Sequence, residues 1–329
     1  MKVFITGSTG FLGQVVTEKL VQAGHEVSAM VRSPLFQLPP GATAVESNLS
    51  SPDDLAKKLD GMDAVVHLAG KVSRNPDDGP SMHDVHVSGT RVLLNAMQQA
   101  GVRKLILSST SGTVAVSEQS GYIATEADTA PIELIGRWPY YMSKFLQEKE
   151  VLAWDAQDKI ESVILNPSLL LGPGDERLSS TGDVLKILQG RLPAITKGTV
   201  AFVDVRDCAS AFVSALERGK RGERYLLNGV NLSVSSFVER VARAGDVSTP
   251  LFKLPSRFAK MSAKFIEGAY QAMDRIPPVD SASVEMGCYH WGCSWTKAEE
   301  QLDFRPRDPQ QTVNDTVKDL VNRGIFRKS

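Results

Sequence analysis

Cysteine is scarce in this chain: Cys208, Cys288 and Cys293 are the only three among 329 residues. The segment "CYHWGC" sets His290 between two of them, but a metal centre needs a fourth ligand and closer to standard spacing. We assign no metal and read the cysteines as reduced thiols of a cytosolic protein. Long apolar runs are missing too. Stretches such as "KLILSST" and "SVILNP" are far too short to span a bilayer as a helix. Neither charge is in excess: 37 Lys and Arg against 38 Asp and Glu give a formal net charge of −1. That balance leaves no global basic field to attract nucleic acid or an anionic membrane. No signal peptide is expected, because "MKVFITG" already reads as a strand entering a glycine turn, and the expected location is the cytoplasm. Internal repeats and low-complexity segments are not seen.

The 42% apolar and 23% charged shares are those of an ordinary globular protein, long enough for one large domain or two fused lobes. In the first two-thirds, short β-branched runs alternate with helical patterns, which predicts βαβ units and a parallel sheet. Strands are expected at 2–6, 26–32, 42–47, 63–70, 104–110 and 162–168. Their continuous apolar character fits a sheet covered by helices on both faces. His67, inside such a run, reads as buried. "SSPDDLAKKL" opens a helix with Ser51 as N-cap, Pro52 at its first position and Asp54 in its first turn. Residues 81–100 predict a helix ending at Gly101.

After Gly172 the pattern loosens. "AFVDVRDCASAFVSALERG" predicts one more strand and helix returning to the main sheet, and "ERGKRGER" (217–224) a solvated helix end. Phe258, Met261 and Phe265 sit at helical spacing as core or interface residues, and Pro277–Pro278 reads as a hinge. The predicted architecture is α/β: a doubly wound parallel sheet formed by residues 1–171 and 199–230. A smaller C-terminal lobe (172–198 and 231–300) lies over its C-terminal edge, where open α/β sheets bind ligands, and residues 301–329 close the chain.

"ITGSTGFLG" joins the first strand to the first helix, with glycines at 7, 10 and 13. Gly7 allows a tight turn, Gly10 a close approach to a pyrophosphate and Gly13 close packing of helix on strand. The helix N-terminus adds unpaired N–H groups and a positive dipole end. The second strand lacks the acidic residue that holds a ribose 2′-hydroxyl. "MVRSP" offers Arg32 and Ser33 instead, which favours a 2′-phosphate and hence NADP(H) over NAD(H).

In "WPYYMSKFLQEKE", Tyr140 and Tyr141 stand four and three residues before Lys144, so helical spacing leaves both on its face. A phenol titrates near ~10, and a neighbouring ammonium is expected to lower that value.

Taken together, "FITGSTGFLG", "VVHLAG", "SGTRVLLNA", "LILSSTSGTV", "YYMSK", "LNPSLLLGPGD" and "TKAEEQLDFRPR" resemble the extended short-chain dehydrogenase/reductase superfamily over most of the chain. "VSAMVRSP", "SSTSGTV" and "NPS" are similar to its dihydroflavonol reductase-like branch, which includes the proteins called hopanoid-associated sugar epimerases. The resemblance implies a Rossmann-type fold. Its Tyr-x-x-Ser-Lys pattern falls on Tyr140, Ser143 and Lys144, with Thr110 as the active-site hydroxyl and Ser111 and Ser109 as near alternatives. It implies cofactor contacts from Gly7, Thr9, Gly10, Phe11, Leu12, Gly13, Arg32, Ser33, Asn48, Leu49, Leu68, Ala69, Gly70, Tyr140, Lys144, Pro167 and Ser168. Substrate contacts are expected from Lys71, Ser111, Tyr141 and Leu169, within a region reaching Lys71–Asn75, Ser168–Gly172 and Tyr289–Trp295.

One position departs from the pattern. "VHVSGT" puts His86 where many members carry Asn, so a proton relay through that Asn does not simply carry over; His86 either substitutes for it or is a packed helix residue, the second reading being preferred. The implied activity is reduction of a ketone or aldehyde, or the reverse, by hydride transfer from NADP(H), with a small-molecule substrate and a homodimer formed through helices at 85–100 and 141–154. A nucleotide-sugar epimerase or dehydratase with tightly held NAD is the alternative, and a non-catalytic nucleotide sensor a second.

Overall fold

The computed structural model describes residues 1–33, 36–192, 195–249 and 281–327. Phe258, Met261, Phe265 and Pro277–Pro278 lie outside them.

In chain order the elements are β1 (Lys2–Thr6), α1 (Phe11–Gln22), β2 (Glu26–Val31), β3 (Ala42–Glu46), α2 (Pro52–Leu59) and β4 (Ala64–His67). Then follow α3 (Gly79–His83), a π-helical turn (Asp84–Ser88), α4 (Gly89–Ala100), β5 (Lys104–Ser108), α5 (Ile132–Ile135), α6 (Pro139–Ala156), β6 (Glu161–Pro167) and β7 (Leu169–Leu171). The remainder is α7 (Gly182–Leu188), β8 (Thr199–Asp204), α8 (Val205–Arg218), β9 (Glu223–Leu227), β10 (Val230–Ser233), α9 (Val234–Gly245), α10 (Ser281–Met286), α11 (Thr296–Leu302) and α12 (Pro309–Asn322).

Seven parallel strands form the main sheet in the order β3-β2-β1-β4-β5-β6-β9. The order reverses between β1 and β4, the switch point at which such sheets open a ligand crevice. The alternation of a strand splits β1 between two cores. Val3 and Ile5 pack with Leu12, Val16 and Leu20 of α1 and Phe212, Ala215 and Leu216 of α8. Phe4 faces Leu55 and Leu59 of α2, Leu93, Leu94 and Met97 of α4, and Val151 of α6. Each of these large side chains contributes about 1.5–3 kcal/mol by leaving water.

Helix ends follow the sequence signals. Ser51 Oγ accepts from the Asp54 N–H at 3.3 Å with Pro52 at the first helical position, and α4 stops at Gly101 in the left-handed conformation. The helix expected over 81–100 starts at Gly79 and is interrupted by the π turn. A π turn inserts one residue without altering the hydrophobic repeat enough to be read from sequence, and such turns often mark functional sites.

The strand at 199–204 corrects the sequence reading. β8 does not enter the main sheet. It pairs in parallel with β7 and antiparallel with β10, forming a separate three-stranded sheet. The strand that returns to the main sheet is β9, whose first two residues, Glu223 and Arg224, were assigned to a charged helix end. Pairing to β6 is a long-range choice that the local charge run conceals. The small sheet is covered by α7, α9 and α12 through Val184, Ile187, Phe237, Val241, Val313, Val317 and Leu320. By contrast, Ala298 and Leu302 of α11 pack into the core shared by α1 and α8. Among the described residues, no helix is long and apolar enough to cross a membrane.

Asp204 joins the two sheets, ending β8 and capping α8. Its carboxylate accepts from the Arg206 N–H (2.9 Å), Nε (2.8 Å) and Nη2 (2.7 Å), with Arg307 Nε at 3.5 Å. Burial acts to raise its pKa, but the hydrogen bonds from Arg206 and the charges of Arg206 and Arg307 hold it below the usual aspartate range. Asp204→Ala removes a cap and one carboxylate from two guanidiniums that keep Asp315 (2.6 Å) and Asp207 (2.7 Å), so urea unfolding at pH 7 should show a loss of about 1–3 kcal/mol. Because the folded pKa is depressed, this stabilisation is complete above the ordinary value of about 4 and is lost as pH falls through the lower, folded value.

Candidate active site

A cavity of about 1660 Å³ opens at the C-terminal ends of β1, β4, β5 and β6 and extends under the small sheet and α7. A single small ligand commonly fills about 300–1,000 Å³, so a dinucleotide and a second molecule fit together. Of the residues expected to touch cofactor or substrate, all line it except Ser33, which is exposed one step beyond Arg32.

The glycine turn is built by close backbone approach. A Cβ on Gly7, whose φ is +74°, would lie 2.5 Å from Ala69 N and Leu68 C, so the turn sits directly on the Leu68–Ala69 segment. A Cβ on Gly13 would strike the Gly7 carbonyl, while at Gly10 the nearest atom is Gly7 O at 3.3 Å. Gly10 therefore leaves the cavity side open. No side chain caps α1 and no acid stands in its first turn, so its positive end faces the cavity uncompensated. Arg32 and Asn48 line the same end, and the β2 terminus brings no carboxylate there. This cradle fits a dinucleotide diphosphate.

Thr110, Tyr140 and Lys144 all line this cavity, and the Tyr140 and Thr110 hydroxyls are hydrogen-bonded. Pro139 at the first position of α6 starts the helix that carries both tyrosines and the lysine. Lys144 is only 5% exposed, and its Nζ donates to Ser108 O and to Gln147 Oε1, each at 2.9 Å. Burial lowers its pKa to about 8, against a smaller upward pull from Glu148. The expected depression of Tyr140 is not found. Burial raises the Tyr140 pKa, the neighbouring Tyr141 adds to the rise, and the Thr110 hydrogen bond offsets part of it. Desolvation dominates, and Tyr140 stays a proton donor.

His86, in the π turn, is buried and lines the cavity. Its Nε2 accepts from the Lys71 N–H at 3.1 Å, which puts the ring proton on Nδ1, 2.8 Å from Ser143 Oγ. Burial, then the Lys144 charge, lowers its pKa to about 2, so it is neutral. The packed-residue reading of His86 omitted this: the ring ties the Lys71 backbone to the Tyr-x-x-Ser-Lys turn, edge-on to Tyr140 at 5.9 Å.

Tyr141 forms the next part of the wall. Its ring covers Gly112 so closely that no Cβ would fit there, and it lies 5.2 Å from Tyr140 and 5.0 Å from Trp291. Lys71 lines the cavity with its charge tied to Asp78 (2.6 Å). Ser111, Leu169, Pro167 and Ser168 line it as well, Ser168 Oγ donating to Asn228 Oδ1 at 3.0 Å.

Several participants escaped sequence reading. Arg74 reaches Asp183 of α7 (2.9 and 2.5 Å) and Ser283 of α10 (2.7 Å), joining three cavity-lining segments. No local signal announces a pair 109 residues apart. Glu148, one turn beyond Lys144, is buried and accepts from Thr113 Oγ1 (3.0 Å), Asn166 Nδ2 (2.7 Å) and Ser109 Oγ, with Arg224 at 3.3 Å. It braces the Thr110 turn from behind. An acid four residues after the lysine was a visible clue.

The model of the NAD dependent epimerase/dehydratase family matches residues 3–227. The chain belongs to this family. It is an extended short-chain dehydrogenase/reductase and an NAD(P)-dependent oxidoreductase. A Synechocystis protein described as a candidate dihydroflavonol 4-reductase is 29% identical over 98% of this chain and 96% of its own. Cinnamoyl-CoA reductase 1 of Arabidopsis thaliana is 30% identical over 68% of this chain and 69% of its own. The crystal structure of gox2253 superposes with a TM-score of 0.85 at 29% identity, covering 99% of each chain.

The depressed lysine has a measurable consequence. Folded Lys144 releases its proton near pH 8 and the unfolded side chain near its ordinary value of about 10.4, so between these the unfolded state binds more protons and stability rises with pH. From pH 7 to 10, unfolding free energies should therefore shift in favour of wild type over Lys144→Met by on the order of 2–3 kcal/mol.

Proposed function

We propose that this family member reduces a ketone or aldehyde to an alcohol with NADPH, or runs the reverse reaction. The observation that carries the proposal is the convergence of Thr110, a protonated Tyr140 and a buried Lys144 in the cavity that also holds the glycine turn and Arg32. In this reading Gly7–Gly13 hold the diphosphate, Arg32 the ribose phosphate, and Lys144 the ribose next to the nicotinamide. Bound there, the nicotinamide supplies or accepts the hydride. Tyr140 gives its hydroxyl proton to the oxygen of the reduced carbonyl, and Thr110 donates a hydrogen bond to that oxygen as negative charge develops on it. The wall of Tyr141 and Trp291 and the small lobe bound the substrate. Names of relatives such as dihydroflavonol 4-reductase and cinnamoyl-CoA reductase support a carbonyl substrate.

The competing epimerase reading requires a cofactor that stays bound and is regenerated in each turn. Recovering the nucleotide from purified protein and then supplying NADPH or NADH with a carbonyl panel separates the two. Net NADPH consumption supports the reductase. Non-exchanging NAD with no net turnover overturns it.

Two sets of variants test the assigned roles. Tyr140→Phe should lower turnover by roughly 10²–10⁴-fold with cofactor affinity largely kept, while Tyr141→Phe keeps most activity; the opposite pattern would reverse the assignment. Arg32→Ala should raise the KM for NADPH about tenfold and leave that for NADH nearly unchanged, because it removes one charge-assisted phosphate contact.

A further inference from the structure

Behind Lys144 runs a continuous chain of buried polar groups whose donors and acceptors can all be assigned. A lysine ammonium only donates, so the Gln147 atom 2.9 Å from Nζ is its carbonyl oxygen, and the Gln147 amide nitrogen faces Thr90 Oγ1 at 2.8 Å. The Thr90 hydroxyl gives its one proton to His86 O (2.5 Å) and accepts from both Gln147 and, at 3.0 Å, His67 Nε2. His67 therefore carries its proton on Nε2 and accepts on Nδ1 from Thr6 Oγ1 (2.6 Å), which in turn accepts from the Ala69 N–H at 3.2 Å. Gln147, Thr90, His67 and Thr6 are each 0% exposed, so no water competes for these bonds.

We propose that Gln147 is a positioning residue: together with the Ser108 carbonyl it engages two of the three N–H bonds of Lys144 and leaves the third for the cavity. Through Thr90, His67 and Thr6 the same chain ties the ammonium to the backbone N–H of Ala69, in the segment on which the glycine turn rests. One amide thus sets the lysine in register with the cofactor cradle. The proposal rests on the role given to Lys144 above.

The charged and titratable groups around this lysine come from four elements. Tyr140 and Glu148 lie on its own helix, His67 on β4, His86 in the π turn, and Arg224 on β9 pairs with Glu148. Burial holds His67 at about 3 and His86 at about 2, so neither titrates near neutrality and the direction of the chain is constant there. A hydrogen bond that an ammonium donates favours the charged form, and losing its acceptor favours the neutral amine.

The test is the titration of Lys144 in full-length protein with isotope-labelled lysine side chains, the resonance being assigned with Lys144→Arg. Gln147→Met should lower the Lys144 pKa by about one unit and Gln147→Glu should raise it. With NADPH and a carbonyl substrate, Gln147→Met should also lose roughly ten- to a hundredfold in kcat with the carbonyl KM kept, its alkaline limb moving the same way as the resonance. An unchanged Lys144 titration in both variants overturns the proposal and leaves Gln147 a packing residue. If Gln147→Met does not fold, Gln147→Glu decides alone, and no upward shift overturns the proposal. If wild type reduces no carbonyl, the reductase reading fails, while the titration still tests the positioning.

Discussion

A single charge kept out of water organises this molecule. Lys144 stands on α6 at the C-terminal edge of the sheet with one-twentieth of its surface exposed. Desolvation of an ammonium is costly unless fixed dipoles replace the lost water. Here the Ser108 carbonyl, on the neighbouring strand β5, and the Gln147 amide, one turn along the same helix, do so. β5 delivers the carbonyl, α6 the amide, α4 the hydroxyl that orients the amide, and β4 and β1 the His67–Thr6 pair behind it. The sheet order makes this possible, because β1, β4 and β5 are neighbours with parallel, in-register pairing.

The same crowding explains the glycines. Gly7 approaches Leu68 and Ala69 closer than any Cβ allows, Gly70 has His86 Nε2 3.0 Å from its hypothetical Cβ, and Gly112 lies under the ring of Tyr141. Each is a place where backbone must come near a functional side chain or another turn. The small lobe meets the main domain through side chains, Arg74 to Asp183 and Trp291 to Tyr141, and through isolated β-bridges of His290 with Ser117 and Cys293 with Ala124. The α7 side of the cavity is thus defined by contacts between segments far apart in the chain.

Much of this was legible in the residues. The six strands of the first half, the Ser51 cap and the glycine turn depend on local propensity and periodicity, and they stand where the pattern put them. Errors arose where local signals conflicted with pairing. The strand at 199–204 has the apolar character of a main-sheet strand, yet β7 captures it; the charged start of β9 hides the edge strand that pairs with β6. The π turn at His86 and the upward shift of Tyr140 were equally invisible, because one depends on how α4 docks on α6 and the other on how much water α6 excludes.

By itself the sequence determined the fold class and the glycine turn, and its resemblance to a family singled out Thr110, Tyr140 and Lys144 as candidates for the chemistry. The fold class and the glycine turn rest on contacts between residues close in the chain and on backbone freedom at glycine, whereas helical spacing alone left both Tyr140 and Tyr141 on the face of Lys144. Only the tertiary structure decided the protonation of Tyr140, the neutrality of His86, the bracing by Glu148 and the hold of Gln147 on Lys144. The first three depend on the burial of polar groups and on hydrogen bonds between elements brought together by sheet pairing; the Gln147–Lys144 bond lies within one helical turn, and the fold adds its burial and the Thr90 contact that orients the amide.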